Sequence, residues 1–288
     1  MRTRLFLFLS TLLLQSIASA QTTDIYLFDI QNHYSFVEQI RGGNKYDNQP
    51  SFTTDSKSLL FTSDRAGEQT DIFKYDLATG VTINLTNSAN ENEYSGQAWG
   101  TDGFMYVLQE GVPYQNVWYR RWNGGAPERV LTSYIPAGYY ARNKAGVLFW
   151  GRYSYALFFE PAGAKVGPGD GESLYLQGQA GTSIHAIPGG DKFSFVQKQD
   201  NWDWVIKSFD PATQAIVPLV SISNANENYC WTPAGVILTA NATHLQKFVP
   251  QVDKDWQPLV DLAAPGFVKG GRCAVSPDGR YLALVNSR

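Results

Sequence analysis

A strand-turn-strand phrase recurs six times in this chain, about every 44 residues. Its second strand reads SLLFTSD (58–64), FMYVLQE (104–110), VLFWGRY (147–153), KFSFVQK (192–198), VILTANA (236–242) and YLALVNS (281–287). A tight turn precedes each one. Five of these turns carry Gly103, Gly146, Gly190, Gly235 and Gly279, spaced 43 to 45 residues apart, and Ser56 takes the slot in the first. A fixed period of this size means one supersecondary unit copied along the chain. Four short strands with their turns fill about 40–45 residues, the size of a propeller blade.

The remaining strands follow in step. Third strands run from DIYLFDI (24–30) to HLQKFVP (244–250), and fourth strands from SFVEQI (35–40) to DWQPLV (255–260). The two ends complement each other. Residues 273–287 supply a first and a second strand, and residues 24–40 a third and a fourth. Pairing them in one sheet closes the ring and removes the open edges of a linear stack. The expected fold is all-β: a six-bladed β-propeller with four antiparallel strands per blade. The blades fall near 46–92, 93–136, 137–180, 181–224, 225–266, and 267–288 joined to 24–43, in a single domain over 21–288.

Residues 1–20 read as a secretory signal peptide. Arg2 and Arg4 precede an apolar run from Leu5 to Leu14, and Ala18-Ser19-Ala20 is a small-x-small cleavage site before Gln21. Beyond it no stretch reaches the roughly 18 apolar residues of a spanning helix. The expected location is therefore periplasmic or secreted. The formal net charge of −3 and the lack of a Lys/Arg stripe argue against a nucleic-acid partner. A monomer without cofactor or metal is expected.

The phrase NQPSFTTDSKSLLFTSDRAGEQTDIFKYDLATGVTINLT (48–86) resembles the WD-repeat-like propeller repeat of the TolB family, as does AVSPDGRYLALV (274–285). The matching residues are Asp55, Ser63-Asp64-Arg65, Asp71-Ile72-Phe73, Thr79-Gly80 and Ser276-Pro277-Asp278-Gly279. The resemblance is strong in these two units, and the others keep the spacing. The α/β module that precedes the propeller in TolB has no counterpart, since residue 24 already belongs to a blade. The resemblance implies an exported six-bladed propeller that binds other molecules. Most motif residues have scaffold roles, with Asp and Gly setting hairpin turns.

Binding residues are expected where each fourth strand leads into the next first strand, at one mouth of the central channel. The candidates are Asn48, Glu93, Tyr94, Tyr139, Tyr140, His185, Glu227, Asn228, Tyr229 and Arg272, with Asp47, Ser183 and Lys269 beside them. Ala-Asn-Glu-Asn occurs at 89–92 and at 225–228, three periods apart, so the two loops should face each other across the ring. Of His33, His185 and His244, only His185 approaches the axis, as a general base or a structural histidine. Asp253-Lys254-Asp255 reads as a calcium hint or a turn. The Gly-rich GPGDG (167–171) lies between strands and so is no phosphate cradle. No serine-hydrolase elbow, zinc-protease helix or Cys/His metal set occurs.

Cys230 and Cys273 sit five and six residues before their turn glycines. That offset turns them to opposite faces of equivalent strands in neighbouring blades. They form either a bridge across the interface or two buried free thiols. Two functions fit. The first is a non-enzymatic binding or scaffold module of the bacterial envelope that engages an envelope protein or peptide. The second is a glycan-binding or glycan-active protein using the carboxylates of the mouth.

Overall fold

The computed structural model describes residues 22–43, 45–111, 114–164, 173–199, 204–222 and 226–287. The signal-peptide segment and the GPGDG stretch lie outside them. Six four-stranded antiparallel sheets follow one another around a ring. Blade one has Asp47–Phe52 innermost, then Ser58–Ser63, Asp71–Asp76 and Thr82–Asn84. The innermost strands of the next four blades are Asn92–Trp99, Ala137–Asn143, Ala180–Ala186 and Cys230–Trp231. Blade six is built from both chain ends. Gly270–Val275 and Tyr281–Ser287 continue into Thr23–Asp29 and Ser35–Ile40. The seam pairs Thr23 with Ser287 through to Asp29 with Tyr281, without a shift of register.

Both faces of the middle strands are buried, which is why they read as unbroken apolar runs rather than alternating ones. In Thr23–Asp29, Ile25 and Leu27 pack toward blade one while Tyr26 and Phe28 pack toward blade five. Each of the six gaps between neighbouring blades holds one such apolar cluster among the described residues. Fourth strands form the outer rim and leave Ile83, Tyr175 and Val217 exposed. The rim of blade two is shorter than the apolar pattern suggests. Only Glu128–Arg129 pair there, and after Val130 donates to Val117 (2.9 Å) the chain turns to bury Leu131 against blade three.

The motif residues hold turns and loops within blades. Asp55 accepts from the Thr53 hydroxyl (2.7 Å) and the Lys57 amide (3.1 Å), and Asp278 repeats the arrangement with Ser276 and Arg280. The Thr53 hydroxyl bond, first among several, holds the Asp55 carboxyl below its ordinary range. Arg65 reaches the fully buried Asp47 at 2.7 Å and lies over Phe61 and Phe73. Ser56 adopts the left-handed conformation (φ 59°) of its counterpart Gly279 (φ 72°). In blade two that conformation falls on Gly100 instead of Gly103. Gly103 is needed for space, because a Cβ there would collide with the backbone carbonyl of Arg120 as well as the Tyr119 ring.

Candidate functional site

The innermost strands are bulged at one level. Their pairing slips between Asn48 and Ser51, Tyr94 and Gln97, Ala137 and Tyr139, Ala180 and Ile184, and Gly270 and Cys273. An extra residue in a ladder bends the strand and re-aims its side chain. In blade five the same level is irregular chain, tied down by Asn226 Nδ2 donating to the Ala240 carbonyl (2.8 Å) and Thr239 Oγ1 to that of Asn228 (2.8 Å). The bulges surround a cavity of about 310 Å³, lined by the first strands of all six blades. Its lining runs from Tyr139, Thr182 and Arg272 near the strand starts to Pro188 and Pro277 in the hairpins that follow.

Arg272 crosses the channel from blade six. One terminal nitrogen donates to the Tyr139 hydroxyl of blade three at 2.9 Å and to Thr182 Oγ1 of blade four at 3.4 Å. The other lies 3.5 Å from Asn48 Oδ1 of blade one, and the guanidinium carbon is 5.1 Å from the centre of the Tyr139 ring. Blades six and three are opposite in the ring, so this contact spans its hub. Thr182 is held in turn by Glu227, which accepts from its amide (2.8 Å) and hydroxyl (2.9 Å) and pairs with Lys198 (3.1 Å). Tyr46 stands beside Arg272, its hydroxyl pushed up to about 12 by burial, with Arg272 acting in the opposite sense.

Deeper in the cavity, the Ser183 hydroxyl and His185 Nε2 are 3.1 Å apart, and the imidazole meets the Tyr229 ring edge-on at 4.6 Å. Burial pushes the His185 pKa down to about 4, against a hydrogen bond to the Tyr229 backbone that raises it. The ring is neutral at physiological pH. As a general base it sits well below the range near the working pH that proton transfer favours.

The structure therefore divides the expected site. Tyr139, Tyr140, His185, Asn228, Tyr229 and Arg272 line the cavity, and Asn48 touches it through Arg272. Tyr140 is buried and ties blade three to blade two, its hydroxyl donating to the Ser95 carbonyl at 3.0 Å. Tyr94 packs between blades two and three. Glu93 is no rim residue: it is buried at 2% exposure between blades one and two, beside Asp71, Thr86 and Ser88. Burial, reinforced by Asp71, raises its carboxyl to about 8. Glu227 holds Thr182 in place and is not part of the cavity lining.

Of the paired Ala-Asn-Glu-Asn loops, only Asn228 is a described residue that reaches the cavity lining, and Ala225 lies outside the described residues. Asn92 accepts from the Thr70 amide at 3.0 Å, Glu91 is exposed, and Asn226 and Glu227 bond to nearby chain. His33 sits in an exposed turn, and His244 contacts Asp261 on the outside of blade five. Asp253 and Asp255 accept from the amides of Val249 and Trp256 as turn residues. Among the described residues no cluster of three His, Cys, Asp or Glu side chains is placed to hold a metal ion. No described helix is long and apolar enough to cross a membrane.

Sequence reasoning missed Thr182, Tyr46, Gln49 and Arg142. A signal for the bulge level exists, in a second set of periodic glycines. A Cβ at Gly96 would meet Ile72 at 2.6 Å, one at Gly138 would meet Trp150 at 2.8 Å, and one at Gly270 would meet Ala240 at 2.6 Å. Gly96 and Gly270 leave room for outer strands of the preceding blade, and Gly138 for Trp150 of the second strand in its own blade.

Cys230 and Cys273 are buried free thiols that face each other across the gap between blades five and six. Burial, with the Cys273 thiol alongside, pushes the Cys230 thiol well above its ordinary value. A protonated, enclosed thiol is a poor nucleophile for oxidation. Thiol titration of the unreduced, denatured protein should therefore count two reactive groups per chain. A count of zero would mean that the pair bridges, closing a loop that the entropic model values at about 4 kcal/mol.

Fold and hub together define a closed six-bladed propeller with a cavity on its axis. In architecture the chain is a TolB-like propeller. It matches the putative TolB from Agrobacterium tumefaciens with a TM-score of 0.69 at 14% identity, over 93% of this chain and 99% of that one. TolB from Acinetobacter baumannii gives 0.55 at 13%, over 93% of this chain and 64% of that one. An oligogalacturonate lyase in complex with manganese gives 0.53 at 15%, over 93% and 96%. Likeness at these identities establishes a shared fold. No protein-family model and no curated protein matches the sequence.

Proposed function

We propose that this chain is an exported, non-enzymatic binding module of the bacterial envelope that engages a segment of protein at its hub. One observation carries the reading. The rigid ring encloses a concave site, yet the two acids that hydrolytic chemistry on a glycan would use are engaged elsewhere. Glu93 lies between blades and Glu227 serves Thr182 and Lys198. Concave sites held by a rigid scaffold bind through shape and a few polar groups. The leader residues and the sequence resemblance to TolB repeats support export, with Gln21 as the mature N-terminus.

The test is affinity capture from a periplasmic extract, run beside a glycan array, with wild type and a Ser183→Trp variant that plugs the cavity. The wild type should retain a protein that the plugged variant loses, while both melt within a few degrees of each other. Mass spectrometry of the exported chain should find Gln21 first. Equal capture by both proteins would place the interaction away from the hub. Plug-sensitive retention of a glycan, with no protein, would favour the glycan reading.

A further inference from the structure

The hub cavity is charged in one sense only. Of the described residues that line it, Arg272 and Arg142 are cations and none is an aspartate or glutamate. Arg142 also lines a neighbouring cleft with Asp102 and Glu128 and lays its guanidinium over Trp99 there, so Arg272 is the charge that faces the hub. The chain as a whole carries a formal charge of −3, so the surplus is local. Acids beside the mouth are already committed: Asp47 to Arg65 at 2.7 Å, Asp64 to the Tyr46 amide at 2.9 Å, Glu227 to Lys198 at 3.1 Å, and Glu93 to the gap it shares with Asp71. Among the described residues no ion pair joins either cavity arginine. Arg272 meets three neutral oxygens, and Arg142 meets the Met105 sulfur (3.3 Å) and the Trp99 ring (4.3 Å).

A guanidinium half-removed from water and facing only neutral acceptors keeps much of its desolvation cost. A purely structural crossbar needs no charge and would be cheaper as a neutral side chain. An anion entering the cavity offsets that cost. The planar fork of arginine matches a carboxylate with two parallel hydrogen bonds. A confined site of one sign also concentrates oppositely charged ligands.

We propose that the hub cavity is a carboxylate-binding site, and that its occupant is an acidic side chain on a protein segment, with Arg272 taking the carboxylate. This deepens the protein-binding reading and rests on it. The polar lining favours a side chain over a sugar. Gln49 already bonds Thr62 and Ser95, Gln97 bonds the Tyr140 carbonyl, Ser183 bonds His185, and Tyr229 bonds Ser194. Few groups remain to receive a ring of sugar hydroxyls. A glutamate needs only apolar walls for its stem and a fork for its head. A volume of about 310 Å³, at the small end of ligand pockets, admits such an insert.

Probes of defined chemistry test this: N-acetyl-glutamate N-methylamide, its glutamine counterpart, galacturonate and galactose. Each is titrated into the purified propeller and followed by calorimetry and by the shift in melting temperature. The glutamate probe should bind and the glutamine probe should bind at least about tenfold more weakly, the loss expected for a charge-assisted contact. Arg272→Gln should erase that preference, and Arg272→Lys should keep part of it. Equal binding of the glutamate and glutamine probes, or an unchanged preference in Arg272→Gln, would overturn the site. Galacturonate binding through Arg272 without binding of the glutamate probe would overturn the protein side chain as its occupant. If Arg272→Gln still captures the periplasmic partner, this inference fails and the protein-binding reading stands. If the glutamate probe binds but no partner is captured, the site stands and that reading fails.

Discussion

Removing residues 273–288 should abolish cooperative unfolding altogether. The segment carries the second strand of the closing blade and half of the first. Its loss deletes the whole seam from Thr23–Ser287 to Asp29–Tyr281. Leu282, Leu284 and Val285 are at most 1% exposed. At about 1.5–3 kcal/mol each they represent roughly 5–9 kcal/mol of burial, close to the whole stability of a typical domain. Asn286 goes too. It accepts from the amides of Val268 (2.9 Å) and Lys269 (3.0 Å) and donates to the Gly266 carbonyl (3.0 Å), so three backbone groups lose their partner. The truncated chain should show strand content without a sigmoidal melt, and exposed apolar surface that binds dye. A melt resembling that of the full chain would refute closure by the termini.

Replacing Glu93 with glutamine should change how stability depends on pH. The folded carboxyl titrates near 8, against an ordinary value of 4.5. A group raised on folding contributes its stability in full below the unfolded pKa and loses it as pH rises through the folded one. Glu93 thus favours the fold at pH 4.5 and below, loses that contribution progressively, and has none left above about pH 8. Asp71 acts on it directly, and Arg120 and Glu91 stand around the neighbouring Tyr106. Tyr106, pushed up to about 12 mainly by burial, stays neutral throughout. The substituted amide carries no charge at any pH and keeps an N–H donor for Asp71. Urea denaturation should find Glu93→Gln close to wild type at pH 5 and more stable at pH 9, by about 2–4 kcal/mol at an order-of-magnitude level. Parallel pH profiles would show that Glu93 is ionised in the folded protein.

The architecture was legible because propeller blades are local. Each sheet forms from strands consecutive in sequence, so the period of turn residues and the apolar runs of the middle strands report it directly. The closing blade joins residues far apart, yet it too was readable, since the half-repeats at 24–40 and 273–287 complement each other. Strand alternation brought Cys230 and Cys273 to facing sides of one gap and left open whether they bridge.

The hub was legible only in outline. Counting residues from a turn placed Tyr139, His185, Tyr229 and Arg272 near the axis. It also placed Glu93 and Glu227 there, and it passed over Thr182 and Arg142. The reason is the bulge in five of the innermost strands and the irregular chain at the same level in blade five. An inserted residue reverses the alternation that assigns a side chain to one face or the other, and nothing in period-two counting marks where it occurs. Whether an acid at that level meets the channel depends on its partner in the next blade, Asp71 for Glu93 and Thr182 for Glu227. Those partners lie as many as 45 residues away. Sequence thus determined the ring, its closure and the strands that face the axis. Only the tertiary packing of neighbouring blades decided which charges the axis keeps: Glu227 settles where Thr182 and Lys198 offset its desolvation, and Glu93 is buried beside Asp71 with its carboxyl raised to about 8.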